Sequence, residues 1–175
     1  MMKQLILAGV ILFAFFSCNN RKKELKTIYS NNNKSLIQNR NMNGIDLSAT
    51  YLPIHWERLL GRTNADAEQQ ISFKVTVAPP KSIGETQRNI MPVTDVDTLF
   101  ALIAEQDTIT PLFAQQIANG NPSSVEYLIT FKRQEFDKGP TVQLVFKDWL
   151  YTHSRMAFPF EVNQIKNIDS LSSRL

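Results

Sequence analysis

Residues 125–147, VEYLITFKRQEFDKGPTVQLVFK, contain the pattern that decides the fold of this chain. Apolar and polar side chains alternate before and after the segment 137–140, which has a turn-forming composition. A two-residue period is typical of strands with one buried face. The stretch therefore predicts a β-hairpin with a longer loop. The apolar positions are Val125, Tyr127, Ile129 and Phe131 on one strand and Val142, Leu144 and Phe146 on the other.

The same period occurs twice more. Ile71, Phe73, Val75 and Val77 alternate with polar residues from position 70 onward, and two prolines end the run at 79–80. Residues 156–162 repeat the pattern around Pro159, which favours an edge strand or a bulge because proline cannot donate to a central ladder. The Ser-rich residues that follow are expected to fray.

Two helices are predicted between these strands. The first covers about Asp97–Gln106, whose apolar residues are spaced for one helix face. The second has Thr110 as N-cap, Pro111 at its first position and Gly120 just past its end. The predicted fold is α+β, a mostly antiparallel sheet or small sandwich of four to six strands with two short inserted helices.

The charge of the chain is unevenly distributed. Its formal net charge is +3. Residues 19–44 carry six Lys and Arg against Glu24, whereas residues 45–175 hold 12 Lys and Arg against 15 Asp and Glu. The body is therefore mildly acidic, and no basic face indicates nucleic-acid binding.

The N-terminus combines Lys3, an apolar run over Leu5–Phe16, and Ser17 followed by Cys18. The run is shorter than the roughly 20 residues of a membrane-spanning helix, and it fits a secretory signal. This arrangement resembles a bacterial lipoprotein signal, although Phe15 stands where that family usually has Leu. The resemblance implies cleavage between Ser17 and Cys18 and lipidation of Cys18. An ordinary signal peptide and an uncleaved anchor helix are the alternatives.

Three segments follow from this organisation. Residues 1–17 are the predicted signal peptide. Residues 18–44 contain the lipidated cysteine and an Asn- and Lys-rich tether, too polar to bury enough surface to order itself. Residues 45–175 form a single predicted domain, which lacks cysteine and so forms no disulfide.

The lipoprotein resemblance also implies a location. In some bacteria, lipoproteins with Asp at the second mature position are retained in the inner membrane. This chain has Asn19 at that position. The expected location is the outer membrane. Arg21–Lys23 departs from the acidic tract that some lineages use for surface export, so the domain is expected to face the periplasm.

No constellation of residues predicts catalysis, a cofactor or a metal. His55 and His153 are the only histidines and lack a metal-ligand spacing. The pairs Asp95/Asp97 and Glu135/Asp137 flank predicted element ends, where such residues serve as caps and turns. Ser123 and Ser124 follow a predicted helix stop, and no Gly-x-Ser-x-Gly elbow is present. The chain is expected not to be an enzyme.

The C-terminal aromatic residues are the candidate partner-binding site. If the strand beginning at Thr141 continues without a bulge, Trp149 and Tyr151 share its more polar face, which is expected to face solvent. Large rings on such a face are typical anchors of protein interfaces. A bulge near Asp148 would instead make both rings part of the core.

Two classes of function fit these features. The first is a non-catalytic lipoprotein that anchors or braces an envelope-spanning assembly and binds a periplasmic protein. In organisation alone, the chain is similar to small outer-membrane lipoproteins of type VI secretion systems, and other export or transfer complexes are comparable. The alternative is a lipoprotein that binds a small periplasmic ligand or a cell-wall fragment in a cleft between helices and sheet. A surface hydrolase ranks third.

Overall fold

The computed structural model contains nine strands, three 3₁₀ turns and one α-helix within the residues that it describes. The strands are β1 (Ile37–Met42), β2 (Ile45–Leu52), β3 (Gln70–Ala78), β4 (Phe100–Ala104), β5 (Asp107–Ile109), β6 (Phe113–Ile117), β7 (Val125–Lys132), β8 (Thr141–Asp148) and β9 (Ser154–Glu161). The turns are η1 (Ala67–Gln69), η2 (Val96–Leu99) and η3 (Arg133–Lys138), and the helix is α1 (Val162–Ser172). The described residues are 36–54, 56, 66–78, 95–118, 120–121, 123–149 and 152–173.

The strands pair into two antiparallel sheets, which confirms the predicted β-rich, antiparallel character. The first sheet has the order β1-β2-β3-β7-β6 and the second has the order β5-β4-β8-β9. In β3 the predicted alternation holds, since its apolar side chains face the core and its polar ones are partly exposed. β9 lies at an edge of its sheet, as Pro159 predicts.

The two sheets pack face to face, so the fold is a sandwich. Phe73 of the first sheet lies 5.1 Å, centroid to centroid, from Phe160 of the second. Phe100 of the second sheet lies 5.4 Å from Tyr127 of the first. These rings belong to one core that draws on both sheets and on α1. Aromatic side chains dominate that core because each buries a large area.

The predicted hairpin between residues 125 and 147 is wrong in its pairing. Both strands exist, but β7 belongs to the first sheet and β8 to the second. The connection is η3, a full 3₁₀ segment that carries the chain from one sheet to the other. Phe136 of η3 is fully buried. Because the Phe136 side chain is buried, the connection packs against the core and does not form a tight surface turn.

Both predicted inserted helices are also wrong. Most of Asp97–Gln106 forms the end of η2 and strand β4, which lies between two neighbours and is apolar on both faces. A continuous apolar run of this length fits a buried strand or a helix equally well. The segment after Thr110 forms β6, an edge strand paired with β7. Strand pairing with β7 outweighs the helix-start signal of Pro111 and the helix-stop signal of Gly120.

The helix α1 lies at the segment expected to fray. Its buried residues, Val162, Ile165 and Ile168, recur every third position and contribute to the common core. Helices of this length depend on tertiary packing more than on propensity. The Ser-rich composition therefore did not prevent helix formation.

The predicted boundary of the tether at residue 44 is wrong as well. Leu36 is buried, and β1 pairs along its whole length with β2. Backbone hydrogen bonds hold this edge strand, so its polar side chains do not exclude it from the sheet. Residues 1–35, with the predicted signal, Ser17, Cys18 and the rest of the tether, lie outside the described residues.

Candidate functional site

Trp149 is the most exposed large hydrophobic residue among those described. It directly follows β8, and 64% of its surface is accessible. The preceding residue, Asp148, is buried, and its carboxylate accepts a hydrogen bond of 2.7 Å from the Thr152 backbone N–H. The ring faces solvent, as its place on the polar face of β8 predicts. Tyr151, the second predicted anchor, lies outside the described residues.

The turn η2 lies beside this end of β8. The Lys147 ammonium donates to the Thr98 carbonyl of η2 at 3.4 Å. The same turn contacts β6 of the first sheet. The turn η2 therefore contacts both β8 and β6.

The second exposed apolar surface is the start of β6. Leu112 is 49% exposed and Phe113 is 45% exposed. They border a groove of about 480 Å³ that lies between η2 and β6. Sequence reasoning missed this surface, because it placed both residues on the apolar stripe of a helix. The groove is lined by Asp95, Val96, Asp97 and residues 112–116.

A buried polar network joins α1 to the first sheet. Tyr51 donates a hydrogen bond of 2.5 Å to Asp169 Oδ1, and the Ile54 backbone N–H donates to the same oxygen at 2.8 Å. The Arg133 guanidinium pairs with Asp169 Oδ2 at 2.5 Å and contacts the Tyr51 hydroxyl at 3.3 Å. Arg133 also donates through Nε to the Gln70 carbonyl at 3.3 Å. Both oxygens of the Asp169 carboxylate thus accept hydrogen bonds.

The protonation equilibria of this network follow from burial. Burial raises the pKa of the Tyr51 hydroxyl well above its usual value, and the neighbouring Asp169 carboxylate adds to the rise. Burial lowers the pKa of the Arg133 guanidinium, but the attraction and hydrogen bonding of Asp169 and Tyr51 together outweigh burial, so the pKa is raised. A neutral phenol and a charged Arg–Asp pair are therefore the stable forms. Such a satisfied network serves to fix α1 in place.

Another groove lies next to this network but on the surface. It has a volume of about 670 Å³, within the range of small-molecule sites. Cationic, acidic and amide side chains all contribute, so it has no single charge preference. Its lining residues are Asp66, Glu68, Gln69, Gln70, Leu112, Lys132, Arg133 and Gln134. The ligand cleft predicted between helices and sheet is absent from the described residues, because the two helices are strands.

The residues weighed for catalysis do not converge. His153 is exposed in the turn before β9, whereas His55 lies outside the described residues. Asp95 and Asp97 are exposed at η2, and Ser123 donates its backbone N–H to the Asn121 side chain in a surface turn. Within the described ranges, no three His, Cys, Asp or Glu side chains are grouped as metal ligands.

No helix in the described part of the chain is both long and apolar enough to cross a membrane. No protein family and no curated protein matches the sequence. Among solved structures, the chain is similar to a Burkholderia pseudomallei K96243 protein of unknown function, with 9% identity and a TM-score of 0.43. The match covers 90% of this chain and 92% of the other. A similarity of this size assigns neither a fold family nor a function.

Proposed function

We propose that this chain is a non-catalytic lipoprotein, anchored in the outer membrane through Cys18, that braces an envelope-spanning assembly. Its sandwich docks on a periplasmic protein of that assembly. The lipoprotein-like signal over Leu5–Cys18 supports the anchoring, and a type VI secretion complex or another export or transfer complex is an assembly of this kind.

The exposure of Trp149 is the observation that carries the docking role. An indole with 64% of its surface in water keeps its apolar area uncovered. The preceding residue, Asp148, is buried and accepts a hydrogen bond from the Thr152 N–H, which reduces the ordering entropy that opposes binding. Aromatic anchors that become buried when an interface forms contribute about 2 kcal/mol or more to binding. That is a change of about thirtyfold in Kd.

The test compares Trp149→Ala with Trp149→Phe in cells that produce the protein. Detergent extracts of the envelope are separated by native electrophoresis, and the size of the complex that contains this chain is measured. Trp149→Ala should shift the chain to its monomeric size, while Trp149→Phe should retain most of the complex. Gln143→Ala changes an exposed residue of β8, the strand that precedes Trp149, and serves as the matched control.

The melting temperature separates docking from folding. Trp149→Ala should melt within a few degrees of the parent chain, because surface changes cost about 0.5 kcal/mol or less. A large fall in melting temperature, or an unchanged complex in the alanine variant, contradicts docking through Trp149. Unchanged palmitate incorporation in Cys18→Ala would separately contradict the lipid anchor.

The alternative function is binding of a small ligand or cell-wall fragment. The 670 Å³ groove favours it, because the exposed Lys132 could contact acidic groups and the glutamine amides could contact sugars. Isothermal titration with soluble muropeptides tests it. Binding that is lost in Lys132→Ala would support this alternative over docking.

A further inference from the structure

The outer edge of β6 differs from every other sheet edge among the described residues. Natural edge strands carry charges, prolines or bulges, or are very short, which prevents pairing with other chains. β1 carries Arg40, β5 has three residues and includes Asp107, and β9 carries Pro159. The strand β6 is Phe-Ala-Gln-Gln-Ile, with no charge and no proline. It therefore lacks the charge, the proline and the very short length that protect the other three edges.

The open edge also has an apolar start. Within the described ranges, β6 pairs only with β7. Leu112 and Phe113 expose nearly half of their surfaces at its beginning, where an incoming side chain could cover them. Strand addition combines main-chain hydrogen bonds with pockets for alternate side chains. At β6, one edge pairs with no described strand, and the exposed Leu112 and Phe113 lie where incoming side chains would pack.

The charge of the groove selects the kind of strand. Asp95 and Asp97 are exposed on the side of the groove opposite β6, and none of the described residues that line the groove is cationic. Neither carboxylate caps η2 by a side-chain hydrogen bond. Val96 between them is buried, which holds η2 against the sandwich. Two fixed acidic groups along a neutral strand edge complement a strand with cationic side chains.

We propose that the β6 edge binds an extended, basic segment of another protein by adding it as a sixth strand to the first sheet. Apolar side chains of that segment cover Leu112 and Phe113, and its Lys or Arg side chains face Asp95 and Asp97. This surface is separate from Trp149, and it stands whether or not the lipoprotein assignment holds. A second copy of this chain fits less well, because pairing two β6 edges brings two acidic grooves together.

The probe is an acetylated, amidated peptide of four Lys-Val repeats, compared with one of four Glu-Val repeats. The full chain is purified in detergent, and amide hydrogen exchange is followed by mass spectrometry at about 50 mM salt. The basic peptide should protect residues 112–118 and leave other segments unchanged. The acidic peptide should not. Protection elsewhere, equal protection by both peptides, or none overturns the proposal.

The charge variants test the acidic side of the groove. Asp95→Asn with Asp97→Asn should weaken the basic peptide about threefold to tenfold, since two exposed ion pairs of modest strength are lost. Asp95 has a φ of 59°, a conformation that Asn also tolerates. Glu161→Gln, on the far edge strand of the second sheet, is the control and should change nothing. Equal effects of the two changes would overturn the assigned contacts.

Proline variants test the edge itself. Successive N–H groups of an edge strand point alternately to the partner strand and away from it. Gln115→Pro and Gln116→Pro therefore remove one inward and one outward donor. One variant should lower the melting temperature, and the other should retain it but lose peptide protection. Retained protection in both folded variants overturns strand addition, as does a concentration-dependent dimer that protects β6 without peptide.

Discussion

Replacement of Asp169 by asparagine tests how α1 is held to the sandwich. The Asp169 carboxylate accepts from the Tyr51 hydroxyl and the Ile54 N–H through one oxygen and from Arg133 through the other. Its side chain is 10% exposed, and that of Arg133 is 15% exposed. Asparagine that keeps its oxygen toward the first two donors places its NH₂ group opposite Arg133. The guanidinium then lacks a charged partner in a largely buried place.

The expected loss follows from that geometry. Removal of one member of a buried ion pair costs about 3–5 kcal/mol. Because the Tyr51 and Ile54 bonds survive, we expect about 3 kcal/mol for Asp169→Asn. Asp169→Ala also leaves those two donors unsatisfied, at about 1–3 kcal/mol each, so we expect about 5 kcal/mol or more. Either loss is a large part of the 5–15 kcal/mol typical of a folded domain.

Urea unfolding followed by far-UV circular dichroism measures these differences. Asp97→Asn is the control, because Asp97 is exposed, and it should change stability by less than about 0.5 kcal/mol. Hydrogen exchange should rise first in residues 162–172, since the network is their polar link to β2 and η3. A loss below about 1 kcal/mol for Asp169→Asn would refute the argument that the ion pair holds α1.

A double-mutant cycle separates the pair from its surroundings. Arg133→Met removes the cation while keeping much of the side-chain volume. If the unpaired guanidinium causes the loss, Asp169→Asn should cost much less in the Arg133→Met background, with a coupling of at least about 1 kcal/mol. Additive losses would mean that packing or the Tyr51 bond dominates.

Three further changes have direct readouts. Tyr51→Phe should reduce the loss of stability at alkaline pH. In the parent chain, folding raises the phenol pKa, so the contribution of Tyr51 to stability is complete below about pH 10, the pKa of the unfolded chain. Above that pH the contribution falls by up to about 1.4 kcal/mol per pH unit. Urea titrations of both proteins from pH 8 to 11 compare the slopes, and equal slopes would contradict the shift. Phe73→Ala should destabilise by about 3–5 kcal/mol because its ring contacts both sheets, whereas Phe113→Ala, at a half-exposed site, should cost below about 1 kcal/mol in the same assay. Protease added to intact cells should leave the domain uncut if it faces the periplasm, and cleavage without lysis would place it on the cell surface.

The strands that sequence analysis located correctly are those whose two faces differ. In β3, Ile71, Phe73, Val75 and Val77 face the core and the intervening polar residues face solvent, so a two-residue period is visible. In β4 the inner face carries Phe100 and Leu102 and the outer face carries the buried Ala101. With both faces apolar, no period distinguishes a strand from a helix.

Which strands pair with each other is harder to predict from the sequence than the two-residue period of a single strand. The run 125–147 shows two strands separated by a turn-like sequence, yet β7 and β8 pair in different sheets. Phe136, the apolar residue inside that connection, was the available signal, since a surface hairpin loop has no reason to contain a fully buried phenylalanine. Which sheet each strand joins depends on contacts with β3 and β4, far away in sequence.

The β6 surface could not have been predicted because its meaning depends on that distant pairing. Leu112 and Phe113 beside Thr110 and Pro111 match a helix start, and as helix residues they would belong to a buried stripe. Only pairing with β7 makes them the exposed start of an edge strand. Trp149 differs, because its exposure follows from counting along one strand, β8, with no reference to any neighbour. Local alternation thus locates a surface residue within a strand, whereas an open sheet edge is a property of strand order and becomes visible only in the assembled fold.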